Sequence, residues 1–200
     1  MKKPILIVIA GPNGSGKTSI TQKILQHDWL ENCLYINPDD IAKNTFGDWN
    51  SNEAVMKAAI LSTQMREDCI AEGKSLIFET VFSAPDKIDF VKRAKDKGYF
   101  IRLFFVGTES PTINASRIAR RVMEGGHDVP ISKIISRYSK SIANCCIVSK
   151  IVDRVYVYDN SLEFTEPRLL FRVIDGNITK EYTTEIEWAK PMLEYIKRNV

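Results

Sequence analysis

Long apolar runs, metal-spaced cysteines and a strong charge of either sign are all missing from this 200-residue chain, and each absence removes a class of function. The four cysteines, Cys33, Cys69 and the adjacent pair Cys145-Cys146, sit in apolar or helical text without metal-ligand spacing, and adjacent residues seldom bridge one another. A reducing cytoplasm is the expected setting. A net charge of +3 gives no reason to expect an extended nucleic-acid surface, so any local basic cluster reads as a phosphate site. The apolar stretch after Met1-Lys2-Lys3 imitates a signal peptide, yet it is short and runs straight into a glycine-rich loop that cleavage would destroy. It reads as the first strand. No other segment is long or apolar enough to span a membrane. Repeats, low-complexity tracts and linkers are also lacking, so a single domain over 1–200 is expected, with 44% hydrophobic residues to fill its core.

What is present is specific. Gly11-Pro12-Asn13-Gly14-Ser15-Gly16-Lys17-Thr18 is a full GxxxxGK[ST] phosphate-binding loop, and it directly follows the apolar run Ile5 to Ala10. The glycines let backbone N–H groups point inward around a polyphosphate, and Lys17 reaches the β- and γ-phosphates. The Thr18 hydroxyl is placed to ligate Mg²⁺ where the next helix begins, with Ser19 beside it. ATP and Mg²⁺ are the expected cofactors.

Helical patterns then alternate with apolar strands. Helices are expected over Ser19 to Trp29, Glu53 to Glu72, Pro85 to Lys97, Thr112 to Met123 and Ser132 to Val148; strands over Cys33 to Ile36, Ser75 to Phe78, Phe100 to Val106 and Val155 to Tyr158. The implied fold is α/β: a doubly wound, parallel, five-stranded sheet of P-loop kinase type. A helical lid at about 117–137 and a C-terminal hairpin and helix at about 167–200 complete it. Pro191 in that last helix demands a position near its start or a kink.

The phosphate chemistry is narrowed by further absences. No LSGGQ-like signature of transporter ATPases and no NKxD guanine-reading element occur. A phosphotransferase remains, in which a strand-end carboxylate takes a proton from an acceptor hydroxyl and lid arginines neutralise the moving phosphoryl group. Pro38 halts the second strand and presents Asp39, the candidate base, at the sheet edge where α/β proteins bind ligands. Asp40 is the alternative base, or the cap of a helix starting near Ile41. Glu79 ends the third strand and can hold a magnesium-bound water or touch substrate, with Thr80 next to it. Arg117 and Arg121 share one helix face and can converge on one anion; Arg137 on the next helix is a further lid candidate. Arg120 points elsewhere, to the surface or toward adenine. Gly125-Gly126 supplies a hinge and Pro130 a stop, while His127 reads as a hinge or packing residue. Asp159-Asn160-Ser161 can line an adenine pocket. On the acceptor side, Arg66, Arg102 and Lys87 are the spare cations.

Taken together, the phosphate loop, Ile36-Asn37-Pro38-Asp39, Phe78-Glu79-Thr80, Arg117 to Pro130, Arg137-Tyr138 and Tyr158 to Ser161 resemble the zeta toxin family of P-loop kinases, over roughly residues 4 to 161. The lid run followed by Arg-Tyr is the specific part. The resemblance implies ATP- and magnesium-dependent phosphorylation of a hydroxyl on a nucleotide sugar, UDP-N-acetylglucosamine in the toxins. It places the base at Asp39, the loop lysine at Lys17, lid arginines at Arg117, Arg121 or Arg137, and an antitoxin protein among possible partners. Asn37-Pro38-Asp39 stands where the toxins carry Asp-Asn-Asp, and the chain is short, which points to a compact zeta-like kinase. Two other readings stay open: a polynucleotide or nucleotide kinase, for which Tyr35, Trp29 and Trp49 are the available aromatics, and an ATP-binding switch without turnover.

Overall fold

Residues 3–198, apart from 27–29, 31–32, 48–50, 127 and 184, are described by the computed structural model. The expected helix over Ser19 to Trp29 is seen as α1 (Lys17–Leu25), and Trp29, Trp49 and His127 lie outside the described residues. The chain begins with β1 (Ile5–Ala10), α1, β2 (Leu34–Ile36), α2 (Pro38–Phe46), α3 (Asn52–Glu72), β3 (Leu76–Thr80) and α4 (Pro85–Asp96). It continues with β4 (Phe100–Gly107), α5 (Pro111–Met123), α6 (Ile131–Val148) and β5 (Arg154–Asp159). The hairpin β6 (Arg168–Ile174) and β7 (Asn177–Glu181), a 3-10 turn at Glu187–Ala189 and α7 (Lys190–Arg198) close it. Pro191 is the second residue of α7, where its missing N–H costs nothing.

These strands form one sheet in the order β2-β3-β1-β4-β5-β6-β7. The first five are mutually parallel, with Val8 opposite Phe78 on one side and Leu103 on the other. The C-terminal hairpin is not an appendage: β6 pairs antiparallel with β5, Val155 facing Val173, so the sheet has seven strands rather than five. A two-residue turn at Asp175-Gly176, both with positive φ, gives β7 its return path.

Side chains of the central strands alternate between two faces, and both faces are buried. One face of the sheet packs Leu6, Val8, Phe78, Leu103 and Phe105 against α4, α6 and α7 through Val91, Cys145 and Met192. On the other face Ile7, Ile9 and Val106 meet Ile20 and Ile24 of α1. The central strands are therefore apolar without alternation, as a doubly covered parallel sheet requires. Among the described residues no helix is long and apolar enough to cross a membrane.

The helix expected near Ile41 starts three residues earlier. Asn37 Oδ1 accepts from Asp39 N at 3.0 Å and caps α2, and Pro38 is the first helical residue. Asp40 is thus not the cap. It lies with Asp39 in the first turn, where carboxylates complement the helix dipole.

Candidate active site at the phosphate loop

The glycine-rich loop connects β1 to α1 at the carboxyl ends of the parallel strands. Two asparagines from distant parts of the chain fix its path. Asn114 on α5 is fully buried and donates through Nδ2 to Asn13 O at 2.6 Å, while its Oδ1 accepts from Thr108. Asn160, just past β5, donates through Nδ2 to Ser15 O at 2.8 Å and through its backbone N–H to Gly107 O at 2.9 Å. The Asp159-Asn160-Ser161 turn therefore braces the loop. Neighbouring Asp159 accepts from Trp188 Nε1 at 2.9 Å and from Ser161 Oγ at 2.5 Å.

Close approach explains two glycines. A Cβ on Gly14, at φ +74°, would stand 2.6 Å from Asn114 O; one on Gly16, at φ +86°, would stand 2.1 Å from Asn160 Nδ2. Gly16→Ala is expected to lower stability by about 1–3 kcal/mol, from the left-handed backbone and the displaced asparagine, and to weaken ATP binding. Thermal unfolding and nucleotide titration of the variant check this.

Lys17 Nζ folds back on the loop, donating to Gly11 O at 3.0 Å and Pro12 O at 3.1 Å. Burial lowers its pKa; the Glu79 and Asp39 carboxylates oppose that shift and the Arg121 guanidinium adds to it. Lys17, Asp39, Glu79 and Arg121 thus share one electrostatic neighbourhood. Asp40 stands outside the cleft they line, its pKa raised by burial and by the charges of Glu79 and Asp39.

The cleft has a volume of about 760 Å³ and gathers most of the sequence candidates: Asn13, Gly14, Gly16, Lys17, Thr18, Asp39, Arg66, Glu79, Thr80, Arg117, Arg121 and Arg137. Lys87 lines it too, paired with Asp86, whereas Arg102 does not: it sits on β4 over the Phe100 ring at 5.2 Å. Arg120 is a surface residue, ion-paired to Glu163 at 3.0 Å.

The two cleft arginines on α5 have different neighbours. Arg117 donates to the carbonyls of Asn160 at 2.8 Å and Leu162 at 3.3 Å, tying α5 to the loop after β5. Arg121, one turn on, faces Lys17 electrostatically. From α6, Arg137 reaches Asn13 Oδ1 at 3.4 Å, and Tyr138 donates to Thr108 O at 2.5 Å. A small apolar cluster of Ile118, Val129 and Ile134 joins α5, the connecting segment and α6.

Glu79 is held by hydroxyls. Thr21 Oγ1 donates to its Oε1 at 2.6 Å and Tyr35 OH does so at 2.8 Å, while Asn37 Nδ2 donates to Tyr35 OH at 3.0 Å. Burial and the Glu79 charge raise the Tyr35 pKa, which keeps the phenol a donor; it is not an exposed stacking platform. Glu79 Oε2 has no hydrogen-bond partner among the described residues. With the exposed Thr18 hydroxyl it fits the needs of Mg²⁺, which keeps water and phosphate oxygens for most of its ligands. Among the described residues no group of three or more His, Cys, Asp or Glu side chains able to hold a metal ion occurs.

One wall of the cleft is built on the β3–α4 connection. Phe82 takes φ +61°, a strained value for a bulky residue, and Thr80 Oγ1 accepts from its N–H at 3.0 Å. Ser141 Oγ donates to Val81 O at 2.6 Å and Asn144 Nδ2 to Phe82 O at 2.9 Å, so α6 holds this loop in place. Arg66, 4% exposed, lies over the rings of Phe78 and Phe90 at 5.2 and 5.8 Å. Its hydrogen bonds go to hydroxyls, Thr63 at 2.9 Å and Ser62 at 3.4 Å, and among the described residues it forms no ion pair.

The family model described as Zeta toxin matches residues 1–165. An uncharacterized protein of Haemophilus influenzae is 27% identical over 132 residues, which is 66% of this chain and 91% of that protein. A chain from the PezAT chromosomal toxin–antitoxin system of Streptococcus pneumoniae aligns with a TM-score of 0.63 at 18% identity, over 99% of this chain and 86% of its own. A chain of the AvrRxo1-ORF1:-ORF2 complex with ATP aligns at 0.70 and 18% identity, over 97% of this chain and 64% of its own. At these identities the structural likeness carries the fold, that of P-loop kinases.

Proposed function

The chain belongs to the zeta toxin family, and from that premise we propose that it is an ATP-dependent kinase that phosphorylates a hydroxyl of a nucleotide sugar, of the UDP-N-acetylglucosamine kind. The observation that carries this is one cleft that joins a phosphate loop to a carboxylate, Asp39, and to cations on both sides. The ATP named in the AvrRxo1 complex supports the same nucleotide here.

In this reading Asp39 accepts the acceptor's hydroxyl proton as the new oxygen–phosphorus bond forms. The bond from the γ-phosphorus to the bridging oxygen breaks, and its electrons leave on ADP. Lys17 leaves the loop carbonyls and neutralises the β- and γ-phosphates, and Arg121 and Arg137 stabilise the transferred group. Arg117 positions α5 through the carbonyls it holds. Mg²⁺, when bound near Thr18 and Glu79, supplies charge neutralisation to the polyphosphate.

Arg66 gives the acceptor its character. Burial lowers its pKa, with Asp86 and Glu67 opposing the shift from a distance, and a guanidinium without an ion pair among the described residues stands on the acceptor side. A phosphoanhydride supplies the missing counter-charge. Arg66→Gln is expected to raise KM for an anionic acceptor about tenfold or more, the cost of one charge-assisted contact, and to leave KM for ATP unchanged. Steady-state kinetics in both substrates measure this. Acceptor-stimulated ADP release tests the function itself: stimulation by nucleotide sugars supports it, while stimulation only by RNA ends or nucleosides replaces it with a polynucleotide or nucleotide kinase. ATP binding without release by any acceptor replaces it with a switch. The toxin–antitoxin system that names the PezAT structure supports a protein partner that silences the site.

A further inference from the structure

One face of the outer sheet carries a pattern that the cleft does not use. Along β5 the burial alternates strictly: Val155 and Val157 face the helices, while Arg154, Tyr156 and Tyr158 face the other way and are half-buried. The helix layer at this end of the sheet, α6 and α7, packs on the valine side through Cys145, Met192 and Ile196. The opposite side of β5–β7 is a sheet face with cations and rings on it.

Its cations stand in like-charge pairs. Arg154 faces Arg102 across β4–β5, and both guanidiniums lie over the Phe100 ring, at 5.8 and 5.2 Å. Arg172 faces Lys180 across β6–β7, and both lie over the Tyr182 ring, at 5.7 and 4.8 Å. Arg172 is also the cross-strand partner of Tyr156, which joins the two pairs into one track running across the strands. Like charges directly opposite one another destabilise a sheet. Arg154, Arg172 and Lys180 have no carboxylate partner among the described residues, and Arg172 Nε is buried without a hydrogen bond. Acidic residues near this end are engaged elsewhere: Glu181 with Lys197, Glu163 with Arg120 and Glu166 with Lys23.

Between the cations lie flat rings. Tyr156 stacks on Phe104 at 4.8 Å and 11°, and Tyr158 feels both Tyr156 and Tyr182 electrostatically, with Arg172 beside it. Tyr182 is 45% exposed. A sheet face with interleaved rings and with Arg154, Arg172 and Lys180 clear of carboxylates among the described residues offers stacking surfaces and phosphate partners together, which is the chemistry of single-stranded nucleic-acid recognition. An acidic peptide would use the cations and leave the rings idle.

We infer that this face of β4–β7 binds single-stranded RNA at a site separate from the nucleotide cleft. The net charge of +3 gives no sign of it, because a whole-chain sum does not record where the charges stand. The platform does not depend on the kinase reading, since none of its residues lines the cleft.

Fluorescence anisotropy of labelled oligouridine tests it on the full chain. Log affinity is expected to fall with log salt with a slope of about −2 to −3, the value for three or four phosphate contacts on a single strand. The double variant Arg172→Glu, Lys180→Glu is expected to bind about tenfold or more weakly, with far-ultraviolet circular dichroism confirming that it folds. Arg172→Lys is expected to keep most of the affinity, and Lys17→Ala all of it. Binding of the charge-reversed variant equal to that of the unaltered protein, displacement of the RNA by ATP, or tighter binding of polyglutamate than of oligouridine would each overturn the inference, the last in favour of an acidic protein partner.

Discussion

Replacement of Lys17 by alanine is expected to cut phosphoryl transfer by about 10²–10³-fold or more, the 3–4 kcal/mol that one well-placed charge contributes in a preorganised site. The fold is expected to survive. Lys17 gives only two hydrogen bonds to loop carbonyls, at 3.0 and 3.1 Å, and the shape of the loop is held instead by Asn114 and Asn160. A loss of about 1 kcal/mol in stability is the scale for such contacts. Kinetics and thermal unfolding of the same preparation separate the two effects. Activity retained within about tenfold of the unaltered protein contradicts the nucleotide assignment.

The second large effect is expected at Asp39. Asp39→Asn removes the proton acceptor but keeps the size and the first-turn position in α2, so ATP binding is expected to stay nearly intact while kcat falls by about 10² or more. Asp40→Asn is expected to do far less, because Asp40 does not line the cleft. The reverse order of damage would move the base to Asp40. Because burial and its acidic neighbours raise the Asp40 pKa, Asp40 holds its proton to higher pH in the fold than when unfolded. Its contribution to stability is therefore present at acid pH and lost as pH rises through the folded value, and Asp40→Asn is expected to relieve that loss near neutrality.

Much of the architecture could be read from the chain because its signals are local. The phosphate loop is eight contiguous residues between a buried strand and a helix, and the Arg117 and Arg137 helices end within a residue or two of their expected limits. Pro38 misled because a proline that stops a strand also starts a helix, and the two uses share one residue. The hairpin was visible as a hairpin, but its pairing with β5 depends on contacts that no local pattern encodes. The same holds for the clamp on the phosphate loop. Asn114 lies 101 residues from Asn13, and Asn160 lies 145 from Ser15. Nothing in the text around Asn114 marks it as a bracket. Thr21 escaped notice for the same reason, and Tyr35 reads in the sequence only as an available aromatic, since each gains its role when β3 brings Glu79 beside it. Of the three spare cations, the sequence had no means of separating Arg66, which the fold turns into the cleft, from Arg102, which it places on the far sheet face.

Transfer of the γ-phosphoryl group to a nucleotide-sugar hydroxyl, as proposed above, leaves a product whose mass is decisive, and mass spectrometry of the product measures it. Purified protein incubated with ATP, Mg²⁺ and UDP-N-acetylglucosamine is predicted to yield the nucleotide sugar heavier by one phosphate, with Asp39→Asn yielding little. Unchanged UDP-N-acetylglucosamine and related nucleotide sugars, beside phosphorylated RNA or nucleoside in parallel reactions, would contradict it.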